Sequence, residues 1–232
     1  MAETTPTGEF FQVAIDGPAA SGKSTAARLL ASRIGGYYIN TGDMYRTVSW
    51  KALALGISPD DDPDAVVRML ADLDLHYRIV EGRPLLFLNG TPVRQAEIRS
   101  PQVAAIVSQV ARIPGVRSWL LGLQRECKSL GRIVMEGRDI ATVIFPNAKF
   151  KFFITASPLE RARRRLAQTD EVTDGATLES VAADIARRDK IDSTREVAPL
   201  KPAPDSIIVQ TDGLDANEVA DRLAEIVLSG HP

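Results

Sequence analysis

Gly17-Pro18-Ala19-Ala20-Ser21-Gly22-Lys23-Ser24 satisfies G-x-x-x-x-G-K-[ST] at every fixed position, and its flanks decide the fold. The apolar run Phe11–Ile15 reads as a buried strand before it. Thr25–Ile34, with Ala26, Ala27, Leu29, Leu30 and Ala31, reads as a helix after it. Glycines let the backbone bend so that several N–H groups face one point. At the positive end of a helix dipole that concavity suits a phosphate. Lys23 adds a full charge toward the β- and γ-phosphates, and Ser24 offers an oxygen to Mg²⁺. Gly17 through Thr25 therefore form the expected nucleoside-triphosphate site.

Outward from that loop, strand and helix signals alternate. Tyr37–Ile39 reads as a strand, and Thr41 is placed to cap a helix that Gly56 stops. Asp62-Pro63-Asp64 opens a further helix. His76–Val80 and Leu85–Leu88, joined by Glu81-Gly82-Arg83-Pro84, read as a small antiparallel insertion. Ser100-Pro101 and Pro114 start two helices. Arg132–Met135 and Phe150–Ile154 are buried strands. Ser157-Pro158 starts an arginine-rich helix, and Gln168–Gly175 is polar and expected to be mobile. Thr177 caps a helix to about Lys190, Ser206–Gln210 is a last strand, and Asp215 caps the closing helix. This pattern predicts an α/β fold with a mostly parallel central sheet and helices on both faces.

Bulk properties narrow the function. The 232 residues are 44% hydrophobic and 25% charged, with a formal net charge of −2. Such a balance disfavours a general nucleic-acid partner. One cysteine, Cys127, excludes an internal disulfide, and His76 and His231 lack ligand-like neighbours. Met1–Glu9 is polar, without a signal-peptide core, and no run approaches the ~18 apolar residues of a membrane span. The expectation is a cytoplasmic monomer without membrane contact.

Phosphoryl transfer needs positioning and charge compensation, for which arginine's planar fork is suited. Four arginine clusters stand out. Arg46 follows Thr41 and Tyr45. Arg138 and Asp139 follow a strand that ends in Glu136-Gly137, where open α/β sheets bind ligands. Glu136 or Asp139 can orient water on Mg²⁺ or hold a polar substrate group. Arg188, Asp192 and Arg195 are spaced for one helical face. Arg161 and Arg163–Arg165 precede the polar stretch, as in a flap that closes over phosphates.

These motifs together resemble bacterial cytidylate kinases. Ile15–Thr25 and Asn40-Thr41-Gly42-Asp43-Met44-Tyr45-Arg46 carry the resemblance. So do Gly137-Arg138-Asp139-Ile140-Ala141-Thr142-Val143-Ile144-Phe145-Pro146, then Arg188-Asp189, Asp192, Arg195 and Val197-Ala198-Pro199-Leu200-Lys201-Pro202. The resemblance implies a phosphate-loop kinase domain over 10–232 after a flexible tail, 1–9. It also implies a monophosphate-binding insertion at 68–109 and a mobile flap at 158–176. It implies transfer of the γ-phosphate of ATP, with Mg²⁺, to CMP or dCMP. Its acceptor-contacting positions fall on Thr41, Arg46, Ser108, Arg117, Arg138, Asp139, Arg188, Asp192 and Arg195. Ser108 and Arg117 would read the base, and Asp192 would hold the ribose hydroxyls. Lys23, Arg138, Arg164 and Arg188 would serve catalysis. The family often reads S-G-A-G-K-G-T in the loop; here Ser24 or Thr25 stands for the metal, and the motif favours Ser24. An arginine often found in the late segment is Ile191 here.

Other acceptors, UMP or shikimate, belong to related kinases. A GTP-hydrolysing switch would carry N-K-x-D and a suitable D-x-x-G, and neither is present. A binding protein without turnover would not require Lys23, Arg138 and Arg188 together. Lys23→Ala is expected to abolish phosphoryl transfer in a folded chain; steady-state turnover at half the normal rate would contradict the assignment.

Overall fold

The computed structural model describes residues 10–168, 172 and 175–230. The expected tail (1–9), His231 and part of the expected flap loop (169–171, 173 and 174) lie outside the described residues. Strand β1 (Gln12–Asp16) enters the phosphate loop, and helix α1 (Lys23–Arg33) leaves it. Strand β2 (Tyr37–Asn40) leads directly into α2 (Thr41–Ala54), followed by α3 (Pro63–Met69). The strands β3 (Leu75–Val80), β4 (Arg83–Leu88) and β5 (Thr91–Pro92) come next. Helices α4 (Gln95–Ile98), α5 (Pro101–Arg112) and α6 (Pro114–Glu126) precede β6 (Ile133–Gly137). A π-helical turn, Ile140–Ile144, separates β6 from β7 (Phe150–Thr155). The chain closes with α7 (Pro158–Leu166), α8 (Leu178–Thr194), β8 (Ile207–Gln210) and α9 (Ala216–Ser229).

The main sheet is parallel, in the order β2-β6-β1-β7-β8, and β3-β4-β5 form a separate antiparallel sheet. Side-chain alternation along β1 explains why both faces are covered. Val13 and Ile15 pack with Ala26 and Leu30 of α1 and Leu223 and Val227 of α9. Ala14 faces the other way, toward Ile39, Met135 and the π-turn residues Ile140 and Ile144. A second lobe has its own core: Met44 and Val48 of α2 pack with Leu75, Leu86, Val110, Val116 and Leu120.

Local chemistry places the helix starts. Asp62, Ser100 and Ser157 each cap a helix whose first residue is proline. Thr177 with Ser180, and Asp215 with Glu218, form reciprocal capping boxes. Three features differ from the sequence reading. Thr41 does not cap α2: Asn40 occupies that position, and the Thr41 hydroxyl donates to the Glu136 carbonyl at 2.8 Å. Helix α8 continues past Lys190 to Thr194, so Arg188 and Asp192 are helical and Arg195 is its C-cap. Helix α4 and the π-turn lack a hydrophobic period long enough to read in sequence.

Gly17 adopts φ +153°, and an added Cβ there would lie 2.0 Å from the Ile154 carbonyl oxygen. The neighbouring strand leaves no side-chain space. Gly17→Ala is expected to cost about 3 kcal/mol, read as a lowered denaturant midpoint at constant m-value.

Candidate functional site

The C-terminal ends of β1, β2 and β6 open on one cavity of about 320 Å³. Parallel strands deliver their following segments to the same edge of a sheet, so three chemically distinct walls meet there.

The first wall is the loop. Ala19 to Thr25 line it, with Ala20 at φ +59° and Gly22 at φ +87° bending the backbone into a concave arc. Gly17 and Pro18 set the arc from outside the lining. The Lys23 ammonium donates to the Pro18 carbonyl at 3.0 Å, so it lies back across the loop. Ser24 and Thr25 both line the cavity and are both exposed. From behind, α7 grips the loop carbonyls: Arg161 donates to Ala19 at 3.2 Å and Arg164 to Ser21 at 3.2 Å.

The second wall follows β2 and β6. Thr41 and Arg46 from α2, Ser108 from α5, and Glu136, Arg138 and Asp139 at the end of β6 line it. Gly137 is necessary here, because an added Cβ would fall 2.5 Å from the Thr41 hydroxyl. Tyr38 donates to Glu136 Oε1 at 2.5 Å, whereas Glu136 Oε2 is buried without a partner among the described residues. The third wall is α8 and its C-cap, with Arg188, Asp192 and Arg195. Asp192 accepts from Arg138 Nε at 2.9 Å and thereby joins the second and third walls. Arg161 pairs with Asp189 at 2.5 Å, joining α7 to α8.

Most residues singled out in the sequence therefore converge, with two differences of placement. Arg117 is not among the lining residues. Its guanidinium is spent on Asp139, on the Ala111 carbonyl at 3.1 Å and on the face of Tyr45, behind the cavity. Arg164 lines the cavity, but its hydrogen bonds go to protein acceptors: Ser21, Glu160 at 2.9 Å, and Thr211 through both hydroxyl and carbonyl. It holds the loop in this structure. Arg99 and Tyr45 also line the cavity. Arg99 carries no sequence signal, because it follows α4, a four-residue helix with no period to mark its direction. It pairs with the buried Asp43 at 2.8 Å.

The charges are crowded. Burial, with Arg138, Arg165 and Arg188 nearby, pushes Lys23 down to about 7, against the opposing pull of Glu136. Burial and the charges of Arg165, Arg46 and Arg138 push Arg188 down to about 9. Burial raises Asp139 despite Arg117 and Arg195. Cationic side chains are packed against their own repulsion, the arrangement a polyanion relieves. Cys127, buried and donating to the Leu123 carbonyl, is pushed up to about 12 and is structural. No cluster of three or more His, Cys, Asp or Glu able to hold a metal occurs among the described residues. No helix among them is long and apolar enough to cross a membrane.

A family model described as cytidylate kinase matches residues 13–229. The chain is 44% identical to a cytidylate kinase of Geobacillus sp. (strain WCH70), covering 93% of this chain and 96% of that protein. It is also 44% identical to a cytidylate kinase of Pelotomaculum thermopropionicum, covering 95% and 97%. Among solved structures, an uncharacterized protein from Eubacterium ventriosum aligns with TM-score 0.51 and 13% identity over 95% of this chain and 99% of that one. That likeness concerns the fold alone.

The depressed Lys23 has a measurable consequence. At pH 8.5 its amine, with a value of about 7 against an ordinary 10.5, is mostly neutral in the free protein. A bound phosphate restores the ammonium, so ATP binding should take up close to one proton. Between pH 7 and 10.5 the folded chain binds fewer protons at this group than the unfolded one, so stability rises with pH across that window. Titration calorimetry at pH 8.5 in two buffers of different ionisation enthalpy should show the uptake in the wild type and its loss in Lys23→Met. Buffer-independent heats in the wild type would contradict it.

Proposed function

The chain belongs to the cytidylate kinase family, and from that premise we propose that the cavity holds ATP against the Gly17–Ser24 loop and CMP or dCMP against the other two walls. The γ-phosphate passes between them, giving ADP and CDP or dCDP. The observation that carries this division is the convergence of Lys23, Arg46, Arg138, Arg165 and Arg188 from separate elements onto one cavity. One triphosphate on the loop leaves Arg46, Arg138 and Arg188 facing a second anion.

The backbone of the loop cradles the β-phosphate, and Lys23 bridges the β- and γ-phosphates. Arg46 and Arg188 hold the acceptor phosphate, with Arg138 beside the transferring group. An acceptor phosphate oxygen attacks the γ-phosphorus in line while the bond to the β-bridging oxygen breaks, and ADP leaves with that electron pair. The attacking oxygen is already anionic, so no general base is required. Asp192, oriented by Arg138, receives the ribose hydroxyls. Ser108 reads the cytosine edge directly, and Arg117 does so through the carboxylate of Asp139.

The donor set fits Mg²⁺: Ser24 supplies a hydroxyl and Glu136, at the end of β6, a carboxylate oxygen without a partner among the described residues. Mg²⁺ supplies charge compensation on the β- and γ-phosphates when bound. Residues 68–109, which include β3 to α4 and most of α5, form the acceptor-binding insertion. Residues 158–176, including α7, form the flap that excludes water. The protein acts as a cytoplasmic monomer.

A coupled ADP-release assay with ATP and Mg²⁺ against CMP, dCMP, UMP and shikimate tests this reading. CMP and dCMP should exceed UMP in kcat/KM by about tenfold or more, as expected for a site built to hydrogen-bond one base edge. Highest activity with UMP or shikimate, or ADP release independent of acceptor, would overturn it.

A further inference from the structure

Asp16 lies outside the cavity lining, is 1% exposed, and has no part in the transfer described above. It ends β1 immediately before Gly17, opposite Gly137 in the parallel register. Its two carboxylate oxygens each accept one backbone N–H: Oδ1 from Ile140 and Oδ2 from Ala141, both at 2.8 Å. These amides open the π-turn that directly follows Arg138 and Asp139. We propose that Asp16 is a positioning residue for phosphoryl transfer, clamping the turn that carries Arg138 and Asp139 to the loop that carries Lys23.

The pair of donors explains why a carboxylate stands there. Two adjacent N–H groups need two acceptor oxygens in one plane, which an ionised Asp supplies and an amide does not. An asparagine side chain at this position would satisfy one amide and turn its own NH₂ toward the other. The orientation of the turn is therefore tied to both oxygens, and a shift of the π-turn would move Arg138 relative to Lys23 without altering either residue. Asp192 restrains Arg138 from the acceptor side, at 2.9 Å. Asp16 restrains the same turn from the donor side. Burial raises this carboxyl to about 7, and the two amides pull the other way, favouring its ionised form.

This inference rests on the kinase reading and fails separately from it. If the wild type does not phosphorylate CMP or dCMP, the reading fails. If it does and Asp16→Asn matches it, the clamp fails. In Asp16→Asn, kcat with CMP should fall by at least about tenfold, since small misplacements of reacting groups carry costs of that order. The Kd for ATP, measured by equilibrium binding, should change less than about threefold, because the loop residues that hold the phosphates remain. A purely structural role would lower the melting temperature and leave kcat of the folded enzyme within about twofold, which would overturn the proposal. Amide hydrogen exchange in the wild type provides a reading that does not depend on the variant folding. The Ile140 and Ala141 amides should be protected, and ATP should slow their exchange further. Exchange at the rate of an exposed loop, or exchange indifferent to ATP, would equally overturn it.

Discussion

Parallel pairing of β1 with β6, with Asp16 opposite Gly137, is the constraint on which the site depends. Strands that run the same way release their following segments at one sheet edge. The phosphate loop leaves β1 there, and Arg138 and Asp139 leave β6 beside it. Strand β2 pairs with β6 on the far side and releases α2 at the same level, with Thr41 hydrogen-bonded to the Glu136 carbonyl. Slipping β6 by one residue would turn Met135 and Glu136 to the opposite faces and destroy both the core beneath and the wall above.

A second consequence is electrostatic. Cations are gathered before any ligand neutralises them, and packing must hold them against their repulsion. The pairs Arg138–Asp192, Arg161–Asp189 and Arg117–Asp139 fix some of the arginines to carboxylates. Arg188 differs: its Nε is buried without a partner among the described residues. The Lys23 ammonium meets a backbone carbonyl rather than a carboxylate. Paired and weakly paired cations thus stand side by side around one cavity. Preorganised charge of this kind needs little rearrangement when the γ-phosphate moves.

The two cores match this division of labour. One, built on β1, β7, α1 and α9, supports the loop. The other, built on α2, α3, α5 and α6 with the small sheet, supports Thr41, Arg46 and Ser108. Helix α7 connects them functionally: Arg161 and Arg164 hold loop carbonyls, while Arg161 also reaches α8 through Asp189. A basic helix that reads in sequence as a flap component is, on its loop-facing side, a brace.

Much of this is legible without coordinates. The loop motif and its flanking strand and helix, the proline-marked helix starts and the alternating hairpin are local, because backbone bending, capping and side-chain period depend on neighbours within a few residues. They settle the fold class and the small inserted sheet, and they mark the expected triphosphate site. Thr41 is ambiguous in sequence because a capping residue and a first helical residue differ by one position, and only the distant Glu136 carbonyl decides which the threonine becomes. Arg117 and Arg164 show the same limit. An arginine's long side chain has several partners in reach, and Asp139 and Thr211 are 22 and 47 residues away in the chain. Residue types and local elements thus follow from the amino-acid order alone. Which charges are paired, which remain for phosphate, and that Asp16 reaches Ile140 and Ala141 are matters of tertiary structure, because they depend on distances between segments that only the folded sheet brings together.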